Sequence, residues 1–475
     1  MNGFFPKYFH FFLLAVWLVI PACYDKGVKD ENVNKPTVTS WTTTKDKSSL
    51  LTKKSFSLGT QDQTGVSIVV DTSLAMQTID GFGYTLTGGS ACLIMDMEPA
   101  ARTALLNEIF GCLDDQLCIS YLRVSIGSSD LNKTVFSYCD LTGVDEDPEL
   151  VNFSLSLDTV DVIPVLREIL DRRPDLKIMA SPWSAPVWMK TNRNSIGGSL
   201  QKKYFTTYAK YFARYIKAMA AHGIKIDAIT VQNEPLHGGN NPSMVMTSTD
   251  QATFIRDHLG PEFKAQNINT KIIIYDHNCD HPEYPMQILA DSEASKYIDG
   301  TAFHLYAGDI NVLSEVHANY PDKKLYFTEQ WTGANSDFGA DLMWHIRHVM
   351  IGSIRNWSSI ALEWNLANDP SFQLHTPGGC TQCLGALTID GSNYLRNVSY
   401  YIVGQISKGV PAGSVRVHST WLESMPNVSF LRPDGKKVLF VLNDSQGPRK
   451  INVLQGTKVF NAILPPGSIT TFLWN

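Results

Sequence analysis

Between Asp80 and Trp364 the chain passes through eight short apolar runs separated by longer amphipathic or polar stretches, and this rhythm restricts the fold more than any other feature. The runs are Gly81-Phe-Gly-Tyr-Thr-Leu86, Tyr121-Leu-Arg-Val-Ser-Ile126, Lys177-Ile-Met-Ala-Ser-Pro-Trp183, Ala228-Ile-Thr-Val-Gln-Asn-Glu234, Lys271-Ile-Ile-Ile-Tyr-Asp276, Thr301-Ala-Phe-His-Leu-Tyr306, Leu325-Tyr-Phe-Thr-Glu329 and Ser359-Ile-Ala-Leu-Glu-Trp364. Between several of them the spacing turns helical: from Tyr204 to Ala221, Tyr208, Tyr211, Phe212, Tyr215 and Met219 recur at threes and fours. Eight strands alternating with helices predict an α/β fold, a (β/α)8 TIM barrel, over residues 79–400.

After about residue 400 the texture changes to short alternating runs, Val428–Leu431, Lys437–Leu442, Lys450–Leu454 and Ser468–Trp474, punctuated by Asp434-Gly435 and Pro465-Pro-Gly467. Residues 401–475 therefore read as a β-sandwich. Residues 61–78, with the run Gly65-Val-Ser-Ile-Val-Val70, supply its N-terminal strand, so that both chain ends build one side domain.

Ahead of this lie Lys7, an apolar run from Phe11 to Ile20, and Pro21-Ala22-Cys23. Residues 1–23 read as a lipoprotein-type signal peptide whose small residue before Cys23 resembles a bacterial lipobox, with Cys23 the site of lipidation. Residues 24–60, rich in Lys, Asp, Asn, Ser and Thr, read as a flexible tether. The expectation is an exported protein, an outer-membrane lipoprotein at the cell surface or in the periplasm, that touches a membrane only through its anchor. Beyond Cys23 seven cysteines remain; Cys112/Cys118 or Cys380/Cys383 can close short loops, the pairing is left open, and Cys380-Thr-Gln-Cys383 is read as loop bracing near a site.

Six of the eight strands end in groups that can recognise a polyol: Arg123 and then Asp130, Trp183, Asn233 with Glu234, His304 with Tyr306, Glu329, and Glu363 with Trp364. The C-terminal ends of barrel strands converge on ligand rather than on core, so two carboxylates there, Glu234 and Glu329, can share one sugar. Trp331, just beyond, is a candidate stacking platform. A net charge of −6 without a basic stripe argues against a nucleic-acid partner and suits a neutral substrate. No cofactor or metal is expected; His345-x-x-His348 lies on a predicted helix without further ligands.

At these residues the chain resembles glycoside hydrolase family 30, the family of lysosomal glucosylceramidase and the microbial β-1,6-glucanases, from about residue 65 to 475. The resemblance rests on Asp80-Gly-Phe-Gly-Tyr-Thr-Leu-Thr-Gly-Gly-Ser-Ala91, Arg123-Val through Asp130, Ala180-Ser-Pro-Trp-Ser-Ala-Pro-Val-Trp-Met-Lys190, Asn233-Glu-Pro235, His304-Leu-Tyr306, Thr328-Glu329 and Glu363-Trp-Asn-Leu-Ala367. It implies a retaining β-glycosidase with Glu234 as acid/base and Glu329 as nucleophile, Glu234 being protonated beside a charged Glu329. It further implies substrate-binding roles for Arg123, Asp130, Trp183, Asn233, Tyr306 and Trp364, with Arg123 and Tyr306 also orienting Glu329, and with His304 either buried and hydrogen-bonded or in contact with ligand. Thr328-Glu-Gln-Trp331 departs from the Ser-Glu-Ala-Cys of glucosylceramidase, so the leaving-group side does not carry over. The implied activity is endo-β-1,6-glucanase on pustulan or fungal wall glucan. The alternatives are an exo-acting β-glucosidase or glucosylceramidase, and a non-catalytic glycan-binding surface lipoprotein.

Overall fold

The computed structural model describes residues 37–475, together with residues 1 and 3. The signal segment, Cys23 and the first part of the tether lie outside the described residues. Eleven strands, numbered in chain order, lead through the barrel: β1 (Thr37–Thr44), β2 (Thr52–Ser57), β3 (Val66–Thr78), β4 (Gly81–Leu86), β5 (Tyr121–Ser125), β6 (Lys177–Ser181), β7 (Ala228–Thr230), β8 (Lys271–Cys279), β9 (Ile298–Gly308), β10 (Lys324–Glu329) and β11 (Ser358–Asn365). β4 to β11 close into a parallel barrel, one strand from each of the eight predicted runs. Gly83 is needed where β4 meets β5, since a Cβ there would lie 1.8 Å from the Tyr121 carbonyl oxygen on the neighbouring strand.

The barrel interior follows from the two-residue period of a strand. Tyr121, Met179, Ala228, Ile273, Ala302, Tyr326, Ile360 and Leu362 form one buried apolar cluster at the centre of the barrel. Two residues further along five of those strands stand Arg123, Ser181, Thr230, His304 and Thr328, all fully buried. The barrel is thus plugged with apolar side chains below and carries a polar layer at its C-terminal mouth.

Six further strands, β12 (Val415–Ser419), β13 (Asn427–Leu431), β14 (Lys437–Asn443), β15 (Arg449–Gln455), β16 (Lys458–Leu464) and β17 (Ser468–Trp474), join the N-terminal strands in one sheet of order β2-β1-β17-β14-β13-β12-β3-β15-β16. The sheet folds back on itself: Phe460 of the β16 edge packs on Phe472 and Trp474 of β17, with ring centroids 5.4 and 5.3 Å apart. Alternation divides β14 between two cores, Leu439 and Val441 facing the sandwich interior while Val438, Phe440 and Leu442 join the barrel's cluster.

Two expected boundaries move. The segment read as tether to residue 60 already forms β1 and β2, because Thr37-Val-Thr-Ser-Trp-Thr-Thr-Thr44 is a β-branched run whose Val38 and Trp41 are buried and whose backbone pairs with β17. Its hydroxyl-rich composition concealed a strand. At the other end, helix Val398–Ser407 belongs to the barrel side: the Tyr84 hydroxyl of β4 donates to the Ser399 carbonyl at 3.1 Å, and the sandwich strands resume only at Val415. Among the described residues no helix is long and apolar enough to cross a membrane.

Candidate active site

The polar layer at the mouth centres on Arg123. Its Nη1 donates to Glu329 Oε2 at 2.5 Å, Nη2 to Asn233 Oδ1 at 2.6 Å and to Asp276 Oδ2 at 2.8 Å, and Nε to Ser181 Oγ at 3.1 Å. Asp276, fully buried, also accepts from Thr230 (2.6 Å), Ser181 (3.2 Å) and Thr328 (2.6 Å), and His304 Nε2 lies 3.1 Å from its Oδ1. Burial alone would raise Asp276, but Arg123 and His304 hold it far below the carboxylate range.

Two glutamates are hung from this layer. His304 Nδ1 lies 3.2 Å from Glu234 Oε1 and 3.8 Å from Glu329 Oε1, and the Tyr306 hydroxyl donates to Glu329 Oε1 at 3.0 Å. One oxygen of each glutamate and a His304 nitrogen all fall within 4.8 Å of one another. That approach suits the ~5 to 5.5 Å carboxyl separation of retaining glycosidases rather than the ~6.5 to 9.5 Å of inverting ones.

Burial opposes the charge on His304, yet Glu329 and Asp276, with the bond to Glu234, push it up to about 9. The cation reverses the expected order of the carboxyls in the free site. Glu234, although buried, is held below its ordinary value by the His304 bond, while burial pushes Glu329 up against the pull of His304 and Arg123.

A cavity of about 240 Å³ opens over the pair, lined by Asp130, Trp183, Asn233, Glu234, Asn240, Tyr306, Glu329, Trp331, Trp364, Cys380 and Cys383. It has room for about one sugar ring, being smaller than the ~300 Å³ at which most ligand pockets begin. Trp183 and Trp364 meet at 5.3 Å, and the Arg123 guanidinium lies 4.9 Å from the Trp183 ring centre. Asp130 is pushed up to about 7, by burial first and then by the charges of Glu329 and Glu234. Cys380 and Cys383 are disulfide-bonded and pack against the tryptophan cluster, as loop bracing requires; Cys112 and Cys118 also pair, whereas Cys92, Cys139 and Cys279 are free and buried.

Of the predicted residues, Asp130, Trp183, Asn233, Glu234, Tyr306, Glu329, Trp331 and Trp364 come together around the cavity. Arg123 and His304 do not line it: both are fully buried beneath it, so they position the glutamates instead of touching sugar. Glu363 also lies elsewhere, paired with His345 Nδ1 at 2.8 Å. Sequence reasoning missed Asp276 and Asn240, whose amide lies 3.5 Å from Glu234 Oε2. Strand parity would have pointed Tyr275 inward after Ile273; instead Tyr275 and Asp276 adopt positive φ of 70° and 66° and the register with β9 shifts, so Asp276 turns into the polar layer.

Residues 79–377 match the Glycosyl hydrolase family 30 TIM-barrel domain and residues 413–472 the Glycosyl hydrolase family 30 beta sandwich domain. The chain is 31% identical over 424 residues to the endo-1,6-beta-D-glucanase neg1 of Aspergillus fumigatus, covering 84% of this chain and 85% of the relative. It is 28% identical over 441 residues to the lysosomal acid glucosylceramidase of Mus musculus, covering 86% of this chain and 84% of the relative. The solved structure of an endo-beta1,6-glucanase superposes with a TM-score of 0.87 at 34% identity, covering 92% of this chain and 99% of that one.

Asp276→Asn keeps the shape of the hub and removes its charge, leaving Arg123 and His304 undercompensated. It should cost about 3 to 5 kcal/mol of folding stability in chemical denaturation at pH 7. Because the Asp276 pKa is depressed, its contribution is present above pH 3.8 and fades below it, so the gap between wild type and variant should narrow in acid. A neutral variant as stable as wild type would show that the hub is not structural.

Proposed function

Because the chain belongs to glycosyl hydrolase family 30, and so is a glycoside hydrolase, we propose that it is a retaining endo-β-1,6-glucanase in which Glu329 is the nucleophile and Glu234 the acid/base. The observation that carries the chemistry is the close approach of the two glutamates across one His304 nitrogen, at the mouth of a ring-sized cavity. The linkage rests on similarity to endo-1,6-beta-D-glucanases of three fungi at 30 to 32% identity, each spanning 84% of this chain.

In the first step a Glu329 oxygen attacks the anomeric carbon, the glycosidic C–O bond breaks, and the leaving oxygen takes the proton of Glu234. In the second, water attacks that carbon, the ester bond to Glu329 breaks, and Glu234 recovers the proton from the water. The cycle needs Glu234 protonated when sugar is bound. His304, cationic at neutral pH, sits one hydrogen bond away, and a sugar that strips water from Glu234 favours the move of that proton from Nδ1 to Oε1. Arg123 and Tyr306 then keep the attacking carboxylate charged and aimed. Asn233 is fixed by Arg123 at the cavity wall, where it suits the 2-hydroxyl, and Asp130 and Trp183 suit the far hydroxyls and the ring face. The sequence around Cys23 supports export and lipid anchoring as part of the same reading, since a long glucan must be cut outside the cell; incorporation of labelled palmitate should be lost in Cys23→Ser, and equal labelling of the variant would refute the anchor.

Incubated with pustulan, the enzyme should yield a ladder of β-1,6 oligosaccharides whose first-formed reducing ends are β by NMR. Glu329→Gln should lose about 10,000-fold in kcat, and Glu234→Gln about 100- to 10,000-fold on glucan but far less with an activated aryl leaving group. Glucose as sole product would move the reading to an exo-acting β-glucosidase or a glucosylceramidase like the mouse lysosomal relative at 28% identity.

The pH profile tests the proton's source. His304→Gln removes the cation that lowers both carboxyls. The acid limb, set by Glu329, should rise, and the alkaline limb should fall from near pH 9 toward the carboxylate range, narrowing the bell from both sides. An unshifted alkaline limb would exclude His304 as the reservoir.

A further inference from the structure

Of the Phe, Tyr and Trp side chains among the described residues, three are exposed: Tyr306 at 39%, Trp344 at 39% and Trp421 at 44%. All three line one groove of about 800 Å³ on the flank of the barrel. The groove lies between the loop after β9 and the helical segments Phe338–His345 and Ile346–Ser353, and ends against the sandwich at Trp421 and Glu423. Exposed aromatic surface gathered in one place marks a binding face.

The rings are held ready for a ligand. Arg355 lies over Trp421 at 4.6 Å, Trp421 Nε1 donates to Glu423 at 3.3 Å, and Trp344 packs on His348 with centroids 5.1 Å apart. Preset rings lower the ordering cost of binding. Charges along the groove balance, with Arg347 paired to Glu423 at 3.0 Å and also to Asp444, so nothing there selects an ionic polymer. Flat aromatic faces interleaved with Asp309 and Asn311 suit a pyranose, which offers an apolar face and a fringe of hydroxyls.

Tyr306 joins this groove to the catalytic cavity. Its hydroxyl is tucked inward onto Glu329, and the half-exposed residue lines both spaces. A cavity with room for about one ring leaves the rest of a polymer outside it, and through the shared Tyr306 this groove adjoins it. We propose that the groove is a distal glucan-binding site, in which Trp344 and Trp421 stack on sugar units of the same chain being cut. This rests on the reading of the enzyme as one that acts on a polymer.

Trp344→Ala/Trp421→Ala should raise KM for β-1,6-glucan about tenfold or more with kcat retained, each lost stacking contact counting for about three- to tenfold. Hydrolysis of an aryl β-glucoside, which fills only the cavity, should stay within about twofold, and Trp344→Phe/Trp421→Phe should restore most of the polymer affinity. Unchanged polymer kinetics, or equal losses on polymer and aryl glucoside, would overturn the proposal. If the wild type cleaves no polymer, the proposed function falls, and the groove is read separately from the migration of Glu329→Gln protein in gels containing β-1,6-glucan, β-1,3-glucan or xylan. Retardation abolished by the two Trp→Ala changes would uphold the site; no retardation in any gel, or retardation that survives them, would refute it.

Discussion

Everything at the mouth of this barrel depends on one buried ion pair, Arg123 with Asp276, both with fully buried side chains. Taking two such ions out of water costs several kcal/mol each, and their attraction offsets this only if every remaining donor and acceptor is occupied. Here Asp276 is met by Arg123, Ser181, Thr230, Thr328 and His304, each from a different strand. The arrangement closes the barrel electrostatically as the apolar plug closes it sterically. It also leaves Arg123 with Nη1 for Glu329 and a second hydrogen on Nη2 for Asn233, and His304 with one nitrogen for Glu234, so the reactive groups inherit the hub's rigidity.

Much of this was legible in the chain because strand parity carries information at both levels. A reader who knows that Tyr121, Met179, Ala228, Ala302 and Tyr326 plug the barrel can count two residues onward and arrive at Arg123, Ser181, Thr230, His304 and Thr328. Glu234 and Glu329 were found by the complementary rule that groups beyond a parallel strand's end face ligand. Asp276 escaped because a local backbone irregularity, two successive left-handed residues, reverses parity on β8, and nothing in Ile272-Ile-Ile-Tyr-Asp276 announces it. The N-terminal strands escaped for a different reason: Thr and Ser populate tethers and edge strands alike, and only the backbone pairing between β1 and β17, distant in sequence, decides between them.

The sandwich and the barrel are joined through a strand that serves both. Alternation along β14 ties the sandwich to the barrel with the same strand that builds the sandwich's own interior, so the relative position of Trp421 and the barrel rim is fixed by packing. Arg347 strengthens this link, running from the helix after β10 to Glu423 and Asp444. A groove that runs along the barrel and ends against the sandwich keeps its shape only if that interface is stiff. The small cavity and the extended groove beside it are thereby held in one fixed arrangement.

Backbone strain at the site points the same way. Glu234, Tyr275 and Asp276 all sit at positive φ, where a side chain costs roughly 1 kcal/mol or more per residue. The three are coupled, since the Glu234 amide donates to the Asp276 carbonyl at 3.0 Å. Relaxing Glu234 to an ordinary conformation would break that bond and swing the carboxylate away from His304. Relaxing Asp276 would withdraw the hub from Arg123 and His304, exposing unpaired buried charge at a cost larger than the strain released. The strain is therefore locked by the ion pair, and the ion pair is aimed by the strain. This mutual dependence explains how a loop residue such as Glu234 is held as firmly as the strand residue Glu329, a condition that any two-carboxylate mechanism needs if both are to meet the same bond.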